Sequence, residues 1–191
     1  MKTEVSQKPA TPNFPVGKII ALRDGAYLLR PLCAEDEPRL REFFYSHSQE
    51  TIQLRYGYMI GTMTHKRASR LVNVDQQKDV ALGIFEIKGA EQTLHAVGRY
   101  YSEADGQTAE IAFVVREIKR RRGMAAALLH QLAAIAATHS LIFFHAQVQH
   151  DNQAMRQLLD RYHARTNRIP DSDLMIYQLP VARILKSRIK A

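Results

Sequence analysis

The sequence predicts a mixed α/β (α+β) fold: a mostly antiparallel central sheet, helices on both of its faces, and one βαβ unit. Three observations carry this. Three apolar runs, at 80–88, 95–103 and 109–115, follow one another across turn-forming connections at Gly89 and Asp105-Gly106, the pattern of an antiparallel meander. Between 122 and 138, Met124, Leu128, Leu129, Leu132 and Ile135 recur mostly at three- and four-residue steps, the period of a helix lying on a core. The apolar run 141–148 follows it, and a strand–helix–strand order makes 109–115 and 141–148 parallel neighbours.

The remaining elements follow in order. Two short apolar runs around Asp24-Gly25, within 18–32, read as a hairpin. Leu40, Phe43 and Phe44 behind an acidic turn mark a helix starting near Glu35, and Thr64 is placed to cap a helix over 64–74. A helix is expected over 152–165 and an edge strand over 173–180, ending at Pro180.

The chain of 191 residues, 46% hydrophobic and 24% charged, suits one domain with a full core. We expect a proline-containing flexible arm at 1–17, the domain at 18–180 and a solvated basic tail at 181–191, either a short surface helix or disordered. No run approaches the roughly 18 apolar residues of a spanning helix, so no membrane partner is expected. Cys33 is the only cysteine, which excludes an internal disulfide and a cysteine metal cluster and predicts a cytoplasmic protein. None of the eight histidines has a zinc-ligand spacing, so no metal is expected. The net charge of +8 favours anionic partners. Arg99-Tyr100-Tyr101 has no accompanying RNA-reading motif, and no nucleic-acid partner is expected.

The stretch "EIKRRRGMAAALLHQLA", 117–133, is the most informative. Between a strand ending at Val115 and a helix beginning near Arg122, the first helical N–H groups are exposed at the positive end of the helix dipole. Gly123 has no side chain to screen them, and Ala125 and Ala126 keep the next turn open. Arg120, Arg121 and Arg122 add charge suited to phosphate oxygens. The junction reads as a diphosphate cradle; it is neither a Walker loop, which ends in Gly-Lys-Ser/Thr, nor a three-glycine Rossmann turn. A solvated basic helix start is the alternative. Glu110 interrupts an apolar strand, where a carboxylate is costly unless it faces a cleft. It is a candidate general base; a solvated position or a pair with Arg99 is the other reading.

Arg120-Arg121-Arg122-Gly123-Met124-Ala125 matches Q/R-x-x-G-x-G/A, and with the element order over 18–180 the sequence resembles the GNAT family of N-acetyltransferases. "RPLCAEDEPRLREFF", "MTHKRASRLVNVDQQKDVALGIFE" and "AEIAFVV" are similar to the acetyltransferase domain of bacterial protein lysine acetyltransferases of the Pat type. The resemblance implies acetyl-CoA as co-substrate and an amine acceptor, either a small molecule or a protein lysine, with a homodimer left open. It implies Glu110 as the base for direct attack on the thioester and Arg120 to Ala125, Met124 included, around the diphosphate. It further implies the backbone of Phe113, Val114 and Val115 paired with the pantetheine arm as if with a strand. Asn152 matches a cofactor-directed asparagine, and it is equally suited to cap a helix. Leu159 stands where many members carry a tyrosine that protonates the leaving thiolate; Tyr162 lies about a turn further on. His163-Ala164 replaces the usual Gly-Phe ending. These departures keep a second reading open, a catalytically weak domain that binds acyl-CoA as a regulatory or sensing module.

Overall fold

The computed structural model describes residues 17–56, 61–170 and 172–187; the arm expected at 1–17 lies outside these but for Gly17. In chain order come β1 (Lys18–Leu22), β2 (Gly25–Pro31), α1 (Glu37–Tyr45), α2 (Gln49–Tyr56), α3 (His65–Val72), β3 (Asp79–Lys88), β4 (Glu91–Ser102) and β5 (Thr108–Val115). Then follow α4 (Met124–Thr138), β6 (Phe143–Gln149), α5 (Gln153–Asp160), β7 (Arg165–Arg168), β8 (Leu174–Pro180) and α6 (Val181–Lys186). The strands form one sheet in the order β1-β2-β3-β4-β5-β6-β8-β7. Every neighbouring pair is antiparallel except β5–β6.

Two apolar layers flank the sheet. On one face Leu128, Leu129 and Leu132 of α4 meet Tyr100, Ile111 and Phe144. On the other, Leu40, Phe43 and Phe44 of α1 and Ala68 and Val72 of α3 meet Ala81, Phe85 and Val97. The small residues of α4 bring its axis close to the strands. Gly98 of β4 lies beneath it, where a Cβ would stand 3.0 Å from Leu128 Cβ and 2.9 Å from the Phe113 ring. Thr64 caps α3 as expected, its hydroxyl accepting from Arg67 N–H at 3.3 Å.

A buried ion pair fastens the hairpin to the start of α1. Arg30 donates from Nη1 and Nη2 to the two Asp36 carboxylate oxygens at 2.6 and 2.8 Å, and the Cys33 N–H adds a third bond at 3.0 Å. The Asp36 side chain is fully buried. Burial alone would raise its pKa; the bonds from Arg30 and Cys33 more than reverse this, and the net shift is downward. The folded pKa is therefore below the unfolded one. The pair's stabilisation is complete above the unfolded value near 4 and fades as pH falls through the lower folded value. Asp36→Ala should lower stability by about 3–5 kcal/mol at neutral pH, because it strands a guanidinium that is mostly buried. Urea titrations from pH 7 to pH 3 check this: the difference between the two proteins should narrow toward the acid end.

Three expectations need correction. The strand at 173–180 is internal, lying between β6 and β7, and β7 is the edge. All four residues of β7, Arg-Thr-Asn-Arg, are exposed and carry no apolar alternation to reveal them. The helix expected to run to 165 stops at Asp160, and His163 takes a left-handed φ of 52° as the chain turns into β7. The short helix α2, for which the sequence offers no helical apolar stripe, has Thr51 and Ile52 as the buried residues among those described. Finally, the tail begins as a helix, α6, but not a solvated surface one: Val181 and Ile184 are buried in the α4-side core. That apolar pair is masked in the sequence by Arg183 and Lys186.

Candidate functional site

The parallel ladder between β5 and β6 is short. It comprises Thr108↔Phe143, Ala109↔Phe144 and Glu110↔His145 and then stops. Beyond it β5 stays paired with β4 to Val115, and β6 with β8 to Gln149. The two strands diverge, and the β6-facing backbone groups from 111 to 115 have no ladder partner. A cavity of about 430 Å³ occupies this opening. Its walls are Phe113, Val114 and Val115 of β5, the start of α4, the first turns of α5, and Thr51, Leu54 and Arg55 of α2.

The connection into α4 is tightly wound. Arg121 and Gly123 adopt left-handed φ values of 60° and 95°. A Cβ on Gly123 would lie 3.6 Å from Leu22 Cδ2, ordinary contact, so backbone conformation rather than crowding favours glycine here. No side chain caps α4, and its first internal bond runs from Ala127 N–H to Gly123 O at 3.0 Å. The uncapped donors of the first turn open on the cavity beside Met124, Ala125 and Ala126. Five basic side chains, Arg55, Lys119, Arg120, Arg121 and Arg161, line the same space with no carboxylate among the lining residues. A concave basic wall at a helix start attracts a polyanion. Lys119 Nζ donates to the Tyr27 hydroxyl at 2.8 Å, and that bond, with Glu86 and Asp24 nearby, raises the lysine pKa and keeps it cationic.

Of the residues singled out from sequence, Phe113, Val114, Val115, Arg120, Arg121, Gly123, Met124, Ala125 and Asn152 all border the cavity. Asn152 Oδ1 accepts from Met155 N–H at 3.1 Å, capping α5 while the residue also lines the cavity. Arg122 does not line it; its Nε stands 3.8 Å from Asp24 Oδ2 at the hairpin turn. Glu110 lies outside the lining too. It occupies the last parallel rung, half-buried, with Tyr101 and His145 as cross-strand neighbours. Among the described residues no side-chain hydrogen bond or ion pair engages it. Arg99, the alternative partner, instead donates to Leu71 O at 3.0 Å and to the Tyr101 hydroxyl at 3.3 Å. Leu159 is fully buried, and Tyr162 is packed edge-on to His130, ring centroids 5.6 Å apart.

Sequence reasoning missed Thr51, Leu54, Arg55, Lys119 and Arg161. Arg161 follows Ala154 and Leu158 at helical spacing and was detectable; α2 left no periodic signal. Among the described residues no group of three His, Cys, Asp or Glu side chains could hold a metal ion, and no helix is long and apolar enough to cross a membrane.

A mixed sheet whose single parallel pair splays beside a glycine-opened helix start defines a GNAT-type acetyltransferase fold. The chain belongs to that family: the profile of the acetyltransferase (GNAT) domain matches residues 27–165. It is similar to the GNAT domain of S. lividans Pat at 25% identity and TM-score 0.77, covering 86% of this chain and 96% of that one. It is also similar to a cAMP-binding acyltransferase from Mycobacterium smegmatis, 25% identical with TM-score 0.61 over 86% of this chain, but it spans only 47% of that protein. The ribosomal alpha-N-protein acetyltransferase RimL, solved in complex with coenzyme A, shares the fold at 16% identity and TM-score 0.66, over 85% of this chain and 98% of that one.

Proposed function

We propose that the chain is an acetyl-CoA-dependent N-acetyltransferase acting on a primary amine. One observation carries the reading: a single cavity joins the unpaired edge of β5 to the uncapped, basic start of α4. The residues fit the group on both counts. Free backbone groups at 113–115 suit the amides of a pantetheine arm as an added strand. Arg120, Arg121 and the first-turn N–H groups around Gly123, Met124 and Ala125 suit a diphosphate. Asn152 has its Oδ1 committed to the cap, leaving the amide N–H for the ligand. Arg122 stands further out, toward Asp24, where it adds positive field. Acetyl-CoA, when bound, supplies an acetyl group activated as a thioester.

Glu110 would take the proton that the acceptor amine gives up as its N–C bond forms and the C–S bond breaks. Being unengaged by any described partner favours that role. The face that carries Glu110 continues through exposed Gln147, Gln178, Arg165 and Asn167, an open polar surface suited to a protein lysine more than to a small enclosed amine. A cytoplasmic setting agrees with the single cysteine. The second reading, a weakly catalytic acyl-CoA sensor, draws on the acid side of the mechanism: no tyrosine, cysteine or histidine lines the cavity. The thiolate would then leave unassisted, which a thiol of ordinary acidity tolerates.

Calorimetry with acetyl-CoA and a thiol-release assay over a panel of amines and lysine-bearing proteins test both readings. The expected result is micromolar binding with acceptor-dependent release of one thiol per amide formed. Binding without release from any acceptor would favour the sensor. No binding at about tens of micromolar would remove both.

A further inference from the structure

The helix α2 forms one wall of the cavity, and Thr51 and Ile52 are its buried residues among those described. Its start is tied down by a carboxylate from a distant part of the chain. Glu117, in the connection from β5 to α4, accepts at Oε1 from Ser48 N–H at 2.9 Å and from the Thr51 hydroxyl at 2.7 Å. A carboxylate at that position faces the positive end of α2. Ser48 reinforces the knot, its hydroxyl 3.1 Å from Thr51 Oγ1 and accepting from Thr51 N–H at 3.2 Å. The Thr51 oxygen in turn accepts from Arg120 Nη2 at 2.6 Å, and Arg120 Nη2 lies 3.9 Å from Glu117 Oε1. Thr51 and Arg120 both line the cavity and Glu117 does not. The bonds from Ser48 and Thr51 hold the Glu117 pKa down at about 2, so the knot is ionised across the physiological range.

We infer that Glu117 is a positioning residue for cofactor binding: it fastens α2 to the diphosphate turn and, through the Thr51 hydroxyl, sets the direction of the Arg120 guanidinium. The inference rests on the acyl-CoA reading of the cavity. A carboxylate near an anion site has an opposing effect, since it repels the ligand. Here the Glu117 charge is already engaged by donors from Ser48 and Thr51, and at 3.9 Å its ion pair with the half-exposed Arg120 is weak and screened. Ordering of the wall is therefore the larger effect, and removing the carboxylate weakens binding.

The test is calorimetry with coenzyme A on the unaltered protein and on Glu117→Ala, Thr51→Val, their double variant and Glu117→Gln, with thermal melts confirming that each is folded. Each single variant should bind roughly tenfold more weakly, and the double variant no more weakly than either, because both break one connection. Glu117→Gln keeps an oxygen that can accept from Ser48 and Thr51 and should stay within about threefold of the unaltered protein. Unchanged or tighter binding by Glu117→Ala would overturn the inference. So would single effects that multiply in the double variant, or a glutamine variant as weak as the alanine one. Failure of the unaltered protein to bind coenzyme A would instead remove the acyl-CoA reading itself, and this inference with it.

Discussion

Glu110→Gln should lower acetylation turnover by roughly two orders of magnitude and leave acetyl-CoA affinity within about twofold. The substitution preserves volume and removes only the carboxylate's ability to accept a proton. Affinity is spared because residue 110 stands at the last parallel rung, outside the cavity wall. No described partner depends on the carboxylate, so the fold should tolerate the change. Steady-state rates at saturating acetyl-CoA, paired with calorimetry, separate the two effects. Equal turnover in the variant would remove Glu110 from the mechanism, and the proton would have to leave through water or another group.

Gly123→Glu should weaken acetyl-CoA binding by a factor of at least about a hundred, corresponding to roughly 3 kcal/mol. Two causes act together. The φ of 95° costs any side-chain-bearing residue about 1–2 kcal/mol, which the free turn relieves by relaxing out of the geometry that aims its N–H groups at the ligand, so that binding must restore it. The new carboxylate would also sit among the first-turn donors of α4, where it would serve as the cap the helix lacks and repel phosphate. Gly123→Ala, which carries the strain without the charge, should show a lesser loss of roughly fivefold to tenfold. Affinity unchanged in the glutamate variant would mean that the anion site lies elsewhere.

Most of the sheet was legible because its strands are long, apolar and bounded by turn residues. The meander and the βαβ unit account for β3 to β6 and α4, and Thr64 announced α3 through its cap. What escaped was structure held by something other than its own pattern. The strand β7 carries only polar side chains and exists because β8 offers it a hydrogen-bonding edge. The helix α2 is anchored by Glu117, more than sixty positions away, a relation no local periodicity contains. The segment 181–186 looked like tail because its two core residues are flanked by cations.

The site divides in the same way. Its floor and the turn into α4 were readable as segments that border the cavity, because Arg120 to Ala125 and 113–115 are contiguous and chemically distinctive. The wall formed by α2 was not, because Thr51, Leu54 and Arg55 enter from an element without a periodic signal. The three arginines of 120–122 differ in direction: Arg120 meets Thr51, Arg121 lines the cavity, and Arg122 turns back toward Asp24.

The short parallel ladder has a mechanical side. Only three rungs join the β1–β5 half of the sheet to the β6–β8–β7 half, so the sheet is built like a pair of tongs with its fulcrum at the end of those rungs. The gap between Ile111–Val115 on one side and Ala146–Gln149 on the other opens from that point, and Glu110 stands where the two arms meet.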